Sequence, residues 1–191
     1  GGKPAYKFLS PSTRALDQAI MRQAIRSQDN PVIVIGSNTF NEIKGTQVAQ
    51  VLRDKNCPIL VSSKEGVTLF ESVDDEEPAK IWEFTDDQDP KEELKRITYA
   101  SAYVGSDGKP YTIVVLGGHS VYEAFNFHYT EIHHTKYNKS INGERHITVV
   151  GEDPRMSFDM SEAEPCMMIE DLDTVAYSDS DIEYHVYNRL N

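Results

Sequence analysis

Two stretches of this sequence run from an apolar strand pattern through glycine into a helical pattern. Residues 32–36 read VIVIG and are followed by SNTF, and residues 112–118 read TIVVLGG and are followed by HSVYEAF. Nearly unbroken apolar runs of this kind are typical of parallel strands that are covered on both faces. Because parallel neighbours must be joined by a crossover, the two stretches predict a layered α/β fold.

The rest of the chain alternates between strand and helix patterns, and its 191 residues suit a single domain, 1–191. We interpret Gly1 and Gly2 as the remnant of a tag. The last residues predict a hairpin that turns at SDSD and adds an antiparallel edge to a mostly parallel sheet. Strands are predicted at 4–9, 32–36, 57–63, 67–73, 79–84, 111–116, 130–138 and 182–190, and a loop followed by a strand at 141–150. Helices are predicted at 10–27, 37–54 with a break at Gly45, 89–103 and 120–127.

The charge of the chain excludes several classes of partner. Lysine and arginine number 19 against 31 acidic residues, a net charge of −12. Nucleic acids and anionic membranes need cationic surface, so neither is expected to bind, and no apolar run is long enough to span a bilayer. A cationic protein partner suits this charge.

Cys57 and Cys166 have no motif spacing, which favours a reducing, cytoplasmic setting.

Each glycine turn has two interpretations. Amide groups at the end of a buried strand and the start of a helix favour a phosphate, and Gly117 and Gly118 would let the backbone approach it closely. A turn in which glycine serves packing alone explains the same letters. After Gly36, the polar residues Ser37, Asn38 and Thr39 can either cap the next helix or donate hydrogen bonds to a nucleotide.

Asp17 is the candidate proton donor. On a helix it lies beside Ile20, Met21 and Ala24, so its carboxyl group would meet an apolar stripe. Partial burial raises the pKa of a carboxyl group, which suits proton donation near neutral pH. The alternative is a first-turn aspartate that stabilises the helix dipole and points to water.

Taken in order, LDQAIM, IGSNTF and LGGHSVYEAF resemble the dihydrofolate reductase family. In that family an acid lies on the first helix, a later strand ends in Gly-x-x-Thr-aromatic, and another ends in Gly-Gly-x-x-x-Tyr. EIHHTKYN, INGERHI and IEYHVYNRL are similar to later segments of the family, so the match covers about residues 15–147 and 176–190. The resemblance implies the dihydrofolate reductase-like α/β fold and NADPH-dependent reduction of dihydrofolate to tetrahydrofolate.

The resemblance also implies roles for individual residues. Asp17 would bind the pterin and assist its protonation, Thr135 would hydrogen-bond Asp17, and Tyr122 would flank the reacting rings. The implied substrate contacts are Asp17, Met21, Ile43, Arg53, Lys55 and Leu116. The implied NADPH contacts are Gly36, Ser37, Asn38, Thr39, Ser62, Ser63, Lys64, Gly117, Gly118, His119, Ser120 and Val121.

The chain departs from the family pattern before Asp17. Only SPSTRAL separates YKFL from Asp17, whereas the family has a long loop there that carries a tryptophan. Two alternatives therefore stand beside the reductase: a module that has lost catalysis and binds a ligand or protein, and a relative acting on a pterin or pyrimidine of riboflavin synthesis.

No metal site is predicted, since Glu131 and His133 share a strand face without a third ligand. Ser120 lacks the Gly-x-Ser-x-Gly pattern of hydrolases.

Overall fold

A computed structural model describes residues 11–102, 108–137, 148–159, 164–165 and 182–188 of the chain. For residues 11–17, 135–137, 158–159, 164–165 and 182–185 it describes the backbone alone. The chain divides into two compact units. The first unit is Met21–Ala124, and the second comprises the described residues of Gly2–Ile20 and Phe125–Asn191. The single domain inferred from length remains a prediction.

The helices lie where the sequence patterns predict them. Gly45, with φ +78°, separates the second helix from the third, as expected for the break in that pattern. The next helix begins after Asp89, whose Oδ1 accepts a hydrogen bond from the backbone N–H of Lys91, with Pro90 in the first turn. The described helices are α1 (Pro11–Arg26), α2 (Ser37–Ile43), α3 (Gln47–Lys55), α4 (Pro90–Ser101) and α5 (His119–Ala124).

The first unit contains a five-stranded mixed sheet. Its strands are β1 (Pro31–Gly36), β2 (Ile59–Ser62), β3 (Gly66–Phe70), β4 (Ala79–Glu83) and β5 (Thr112–Gly117), in the order β4-β3-β2-β1-β5. Strand β1 pairs in parallel with β2 and β5, whereas β3 is antiparallel to both β2 and β4. The expected α/β class is therefore confirmed, but the sheet is not mostly parallel.

Connection lengths explain this correction. Residues 63–65 join β2 to β3 and residues 71–78 join β3 to β4. Such short connections can close only antiparallel hairpins, because a parallel pair needs a crossover of a dozen or more residues. The chain crosses over only where helices intervene, after β1 and before β5.

Strand β1 lies at the centre of the hydrophobic core. Residues 32–35 have no exposed surface, as expected for a strand covered on both faces. Complete burial of one such side chain contributes about 1.5–3 kcal/mol to folding. The core cluster of this unit comprises Ile25, Ile33, Ile35, Phe40, Ile43, Val48, Ala49, Val51, Leu52, Cys57, Ile59, Val61, Val73, Val114 and Leu116.

The second unit contains two small antiparallel sheets. One pairs β6 (Glu131–Tyr137) with β10 (Ile182–Asn188), and the other orders β7 (Thr148–Val150), β8 (Ser157–Asp159) and β9 (Glu164–Pro165). The C-terminal strand is antiparallel as predicted, but it pairs with β6 in a separate two-stranded sheet and does not form an edge of the five-stranded sheet. Strands β8 and β9 were not predicted. The predicted strand at 4–9, the SDSD turn and Cys166 lie outside the described residues.

We predict that Ile33→Ala lowers the free energy of unfolding by about 2–5 kcal/mol, because it leaves a cavity against the fully buried strand β1. The matched control is Ile81→Ala on β4, where the isoleucine is 37% exposed. That variant should cost well under half as much. Urea unfolding followed by circular dichroism measures both, and equal losses would contradict the assignment of β1 to the core.

Cys57 gives the stability of the chain a pH dependence. Burial raises the pKa of its thiol from 9.0 to about 11, so the folded chain keeps this proton at a pH where the unfolded chain loses it. The contribution is complete below pH 9.0 and is lost as the pH rises towards about 11. Tyrosine and lysine side chains titrate in the same range, so the informative quantity is the difference in unfolding free energy between the chain and Cys57→Ala. We expect that difference to shrink between these pH values; a constant difference would contradict the raised pKa.

Candidate active site

Three parallel strands end side by side at one edge of the first sheet. Gly36 of β1 is in register with Ser62 of β2, and Ile35 is in register with Gly117 of β5. The β1–β5 register shifts by one residue because Leu116 has no partner in β1. Such bulges redirect a strand end and are frequent beside functional sites. Here the bulge brings Gly117 level with the end of β1.

The two glycine turns predicted from sequence lie against each other. A Cβ atom added to Gly36 would lie 3.1 Å from the backbone nitrogen of Gly118 and 3.5 Å from the backbone oxygen of Gly117. It would also lie 3.7 Å from Cγ2 of Val121. A side chain at position 36 would therefore fill the space beside the Gly117–Gly118 peptide, which is cis. Gly117 and Gly118 are buried, so the second turn packs closely against the end of β1.

Tyr122 supports the second turn from inside α5. Gly117 has φ +118°, a conformation that L side chains rarely adopt. A Cβ atom there would lie 3.3 Å from the hydroxyl oxygen of Tyr122 and 3.4 Å from Cε2 of its ring. The backbone N–H of Tyr122 donates to the carbonyl of Gly118 at 2.9 Å. The pattern Gly-Gly-x-x-x-Tyr thus describes one packed unit.

The polar residues that follow Gly36 lie within α2 and not at its N-cap position. The N-cap residue of α2 is Gly36 itself, and the cap makes no side-chain hydrogen bond. Ser37 is half-buried, Asn38 is exposed and Thr39 is buried within the first turn. None of these three residues therefore occupies the N-cap position, and Ser37 and Asn38 lie at the surface beside the glycine turns.

Ser63, a predicted cofactor contact, makes hydrogen bonds within the turn from β2 to β3. The hydroxyl of Ser63 donates to the carbonyl of Gly66 at 3.4 Å and accepts from the N–H of Glu65 at 3.3 Å. Lys64 is exposed at the tip of this turn. Ser62 is half-buried next to Gly36, so it lies closer in the sheet to the glycine turns than Ser63 or Lys64.

The predicted cofactor contacts that follow Gly118 in the sequence differ in exposure. His119 begins α5 and is half-buried, Ser120 is exposed, and Val121 is buried against the position that a side chain of Gly36 would occupy. Ser120 is thus the accessible side chain in the first turn of α5.

Three predicted substrate contacts belong to the core of the first unit. Ile43 and Leu116 are each 4% exposed, and Met21 is half-buried against the same cluster. Only a small part of Ile43 or Leu116 could meet a ligand, whereas Met21 keeps exposed surface.

Arg53 and Lys55, the two cations among the predicted substrate contacts, already have partners. Nε of Arg53 lies 2.7 Å from Oδ2 of Asp74 and Nη2 lies 3.0 Å from Oδ1, so the guanidinium group makes a two-point contact. Lys55 Nζ donates to the carbonyl of Arg26 at the end of α1, at 3.3 Å. A substrate carboxylate would have to displace these contacts, and sequence spacing could not have shown them.

Asp17 and Thr135 belong to the second unit. Asp17 lies on α1, and Thr135 lies on β6 in register with Tyr184 of β10. The structure describes the backbone of both residues but not their side chains, so the hydrogen bond implied between them remains a prediction.

The histidine pair on β6 follows the strand alternation. Nε2 of His133 lies 2.6 Å from Oε1 of Glu131 on one face, while His134 is buried on the other. The hydrogen bond from His133 lowers the pKa of the Glu131 carboxyl group. In the described part of the chain, no three His, Cys, Asp or Glu side chains are arranged to hold a metal ion.

Comparisons with protein-family models, with curated proteins and with solved structures found no match. Within the described residues, none of the helices combines the length and apolarity that crossing a membrane requires.

We predict that Gly117→Ala destabilises the chain more than Gly108→Ala does. Both glycines have positive φ, and a left-handed conformation costs an L residue about 1–2 kcal/mol. Only Gly117 has a neighbour that a methyl group would press against, because nothing lies within 4 Å of the Cβ position at Gly108. Thermal unfolding of both variants, alone and combined with Tyr122→Ala, measures the contact. If Tyr122→Ala does not reduce the excess cost of Gly117→Ala, the tyrosine does not support the turn.

Proposed function

We propose that this chain is an NADPH-dependent reductase that converts dihydrofolate to tetrahydrofolate. The observation that supports the proposal most directly is the contact between Gly36 and the Gly117–Gly118 turn. Ligands of open α/β sheets bind beyond the carboxyl ends of the strands, where the chain leaves neighbouring strands in opposite directions. Strand β1 leads towards β2 on one side and pairs with β5 on its other side.

The residues at this edge fit the pyrophosphate of a dinucleotide. Gly36 places no side chain of its own against the Gly118 amide, and α2 and α5 begin directly after the two turns, at Ser37 and His119. Backbone donors suit a chain with net charge −12, because they bind an anion without cationic side chains. Ser37, Asn38 and Ser120 are the accessible side chains for further hydrogen bonds, and Ser62 and Lys64 would face the adenosine end.

In the proposed reaction the protein positions the two ligands and supplies a proton to the pterin. NADPH supplies the hydride when it is bound. Asp17 supplies a proton to the pterin, directly or through water, and Thr135 holds the carboxyl group of Asp17 by a hydrogen bond. Tyr122 supports the Gly117 turn and so sets the position of the bound dinucleotide relative to the end of β5.

A binding module without catalysis is the second candidate. The only tryptophan of the chain is Trp82 on β4, so the segment before Asp17 lacks the residue that covers the reaction in the family it resembles. Loss of that cover would admit water to the reacting groups. The two candidates share NADPH binding and differ in turnover.

We predict that Asp17→Asn abolishes most of the oxidation of NADPH by dihydrofolate and leaves NADPH binding within about twofold. Loss of a general acid typically costs 10²–10⁴-fold in rate. Asp29→Asn, an exposed aspartate beyond the end of α1, is the control and should retain full activity. The decrease in absorbance of NADPH measures turnover. Binding without turnover in the unaltered chain would favour the non-catalytic module, and an active Asp17→Asn would remove Asp17 from the mechanism.

We predict that Gly36→Ala weakens NADPH binding at least tenfold relative to Gly45→Ala. The methyl group at position 36 would meet the Gly118 amide, whereas nothing lies within 4 Å of the Cβ position at Gly45. Gly45 has positive φ, so Gly45→Ala strains the backbone without placing a methyl group against either glycine turn. Thermal shift reports both, because a ligand at about 100 times its Kd stabilises a protein by about 2.7 kcal/mol. If NADPH stabilises none of the proteins, the cofactor assignment is wrong.

A further inference from the structure

Strand β4 is one of the two edge strands of the first sheet, and its outer edge is unpaired among the described residues. It pairs only with β3 there, and Ala79, Lys80, Ile81 and Glu83 are exposed. An edge of this kind offers backbone N–H and C=O groups to an added strand. Strand addition draws affinity from backbone hydrogen bonds and specificity from the alternate side chains.

The stretch that contains β4 concentrates the negative charge of the chain. Residues 71–93 hold eleven acidic residues and two lysines. Both lysines already have carboxylate partners, Glu83 for Lys80 and Glu123 for Lys91. Glu76 and Glu77 before the strand, and Asp86 after it, are exposed and make no ion pair with any described residue. Acidic groups therefore flank the open edge at both ends.

The strand itself restricts what can pair with it. Trp82 is in register with Val67 and Lys80 with Thr68, so Ile81 is an extra residue with no partner in β3. A bulge bends an edge and shortens the segment that another strand can follow. Ile81 is also 37% exposed and offers one apolar contact at the bend. The bend prevents a long, flat strand from pairing along β4, but a short strand with an apolar residue opposite Ile81 can pair with it.

We propose that the outer edge of β4 docks a short, extended, lysine- or arginine-rich segment of a partner protein. The partner adds as a strand, places an apolar side chain on Ile81, and directs its cations towards the carboxylates that flank β4. A second copy of this chain is disfavoured at the same edge, since it would bring two of these acidic stretches together.

Trp82 provides a signal for the test, because it is the only tryptophan and lies within the docking strand. The probe is a synthetic eight-residue peptide of alternating lysine and valine, titrated into the full chain while the Trp82 emission is followed. We expect saturable binding that weakens when ionic strength rises from about 0.01 M to about 0.15 M, as the screening length falls from about 30 Å to about 8 Å. An alternating glutamate–valine peptide should not bind.

Two comparisons separate strand addition from diffuse attraction. Methylation of the peptide's backbone nitrogens on one edge removes the hydrogen bonds and should weaken binding about tenfold or more. Glu76→Gln combined with Glu77→Gln should weaken it about fivefold, whereas Asp29→Asn combined with Asp54→Asn, an equal charge change elsewhere, should leave it unchanged. Unaltered binding of the methylated peptide, equal losses in both double variants, or no binding of the lysine–valine peptide would each overturn the proposal. Sedimentation as a dimer that Ile81→Lys dissolves would also overturn it, because a second copy would then occupy the edge.

Discussion

The close approach of Gly36 to the Gly118 amide is the constraint on which the carboxyl edge of the first sheet depends. Any side chain at Gly36, the last residue of β1, would press against the backbone of Gly117 and Gly118 and the side chain of Val121. The bulge at Leu116 and the positive φ of Gly117 serve the same arrangement, because they bring the second turn level with the first. Glycine at these positions serves packing, since Gly117 and Gly118 are buried and the end of β1 lies against them. Phosphate binding at the same turns is a separate proposal.

The sequence predicted the parts of the fold that depend on local pattern. The apolar run of β1, the break at Gly45 and the start of α4 after Asp89 all follow from residue types within a few positions. The direction of β3 and β4 could have been predicted too, because no helix pattern separates them from their neighbours. Strands β8 and β9 could not, since residues 157–159 and 164–165 are too short to show any periodicity.

For the candidate site, sequence identified the turns but not their partners. The pairing of Ser62 with Gly36 requires the β1–β2 register, and the contact of Arg53 with Asp74 joins α3 to the connection between β3 and β4. Neither leaves a signal in local spacing. The use of Ser63 within its own turn is different, because a serine in a three-residue hairpin connection commonly bonds the backbone two residues on. That signal was present in the letters SSKEG.

The order of the strands also bears on how the first unit folds. The β2–β3 and β3–β4 pairings join segments only a few residues apart, whereas the β1–β5 pairing joins residues 31–36 to residues 112–117. Closing a long segment of chain costs more entropy before its contacts form, so distant pairings are generally the slow ones. We therefore expect the hairpins to form early and the β1–β5 pairing late. The edge formed by the two glycine turns is then completed last, and a partly folded chain would have the β-hairpins but not the site proposed for a dinucleotide.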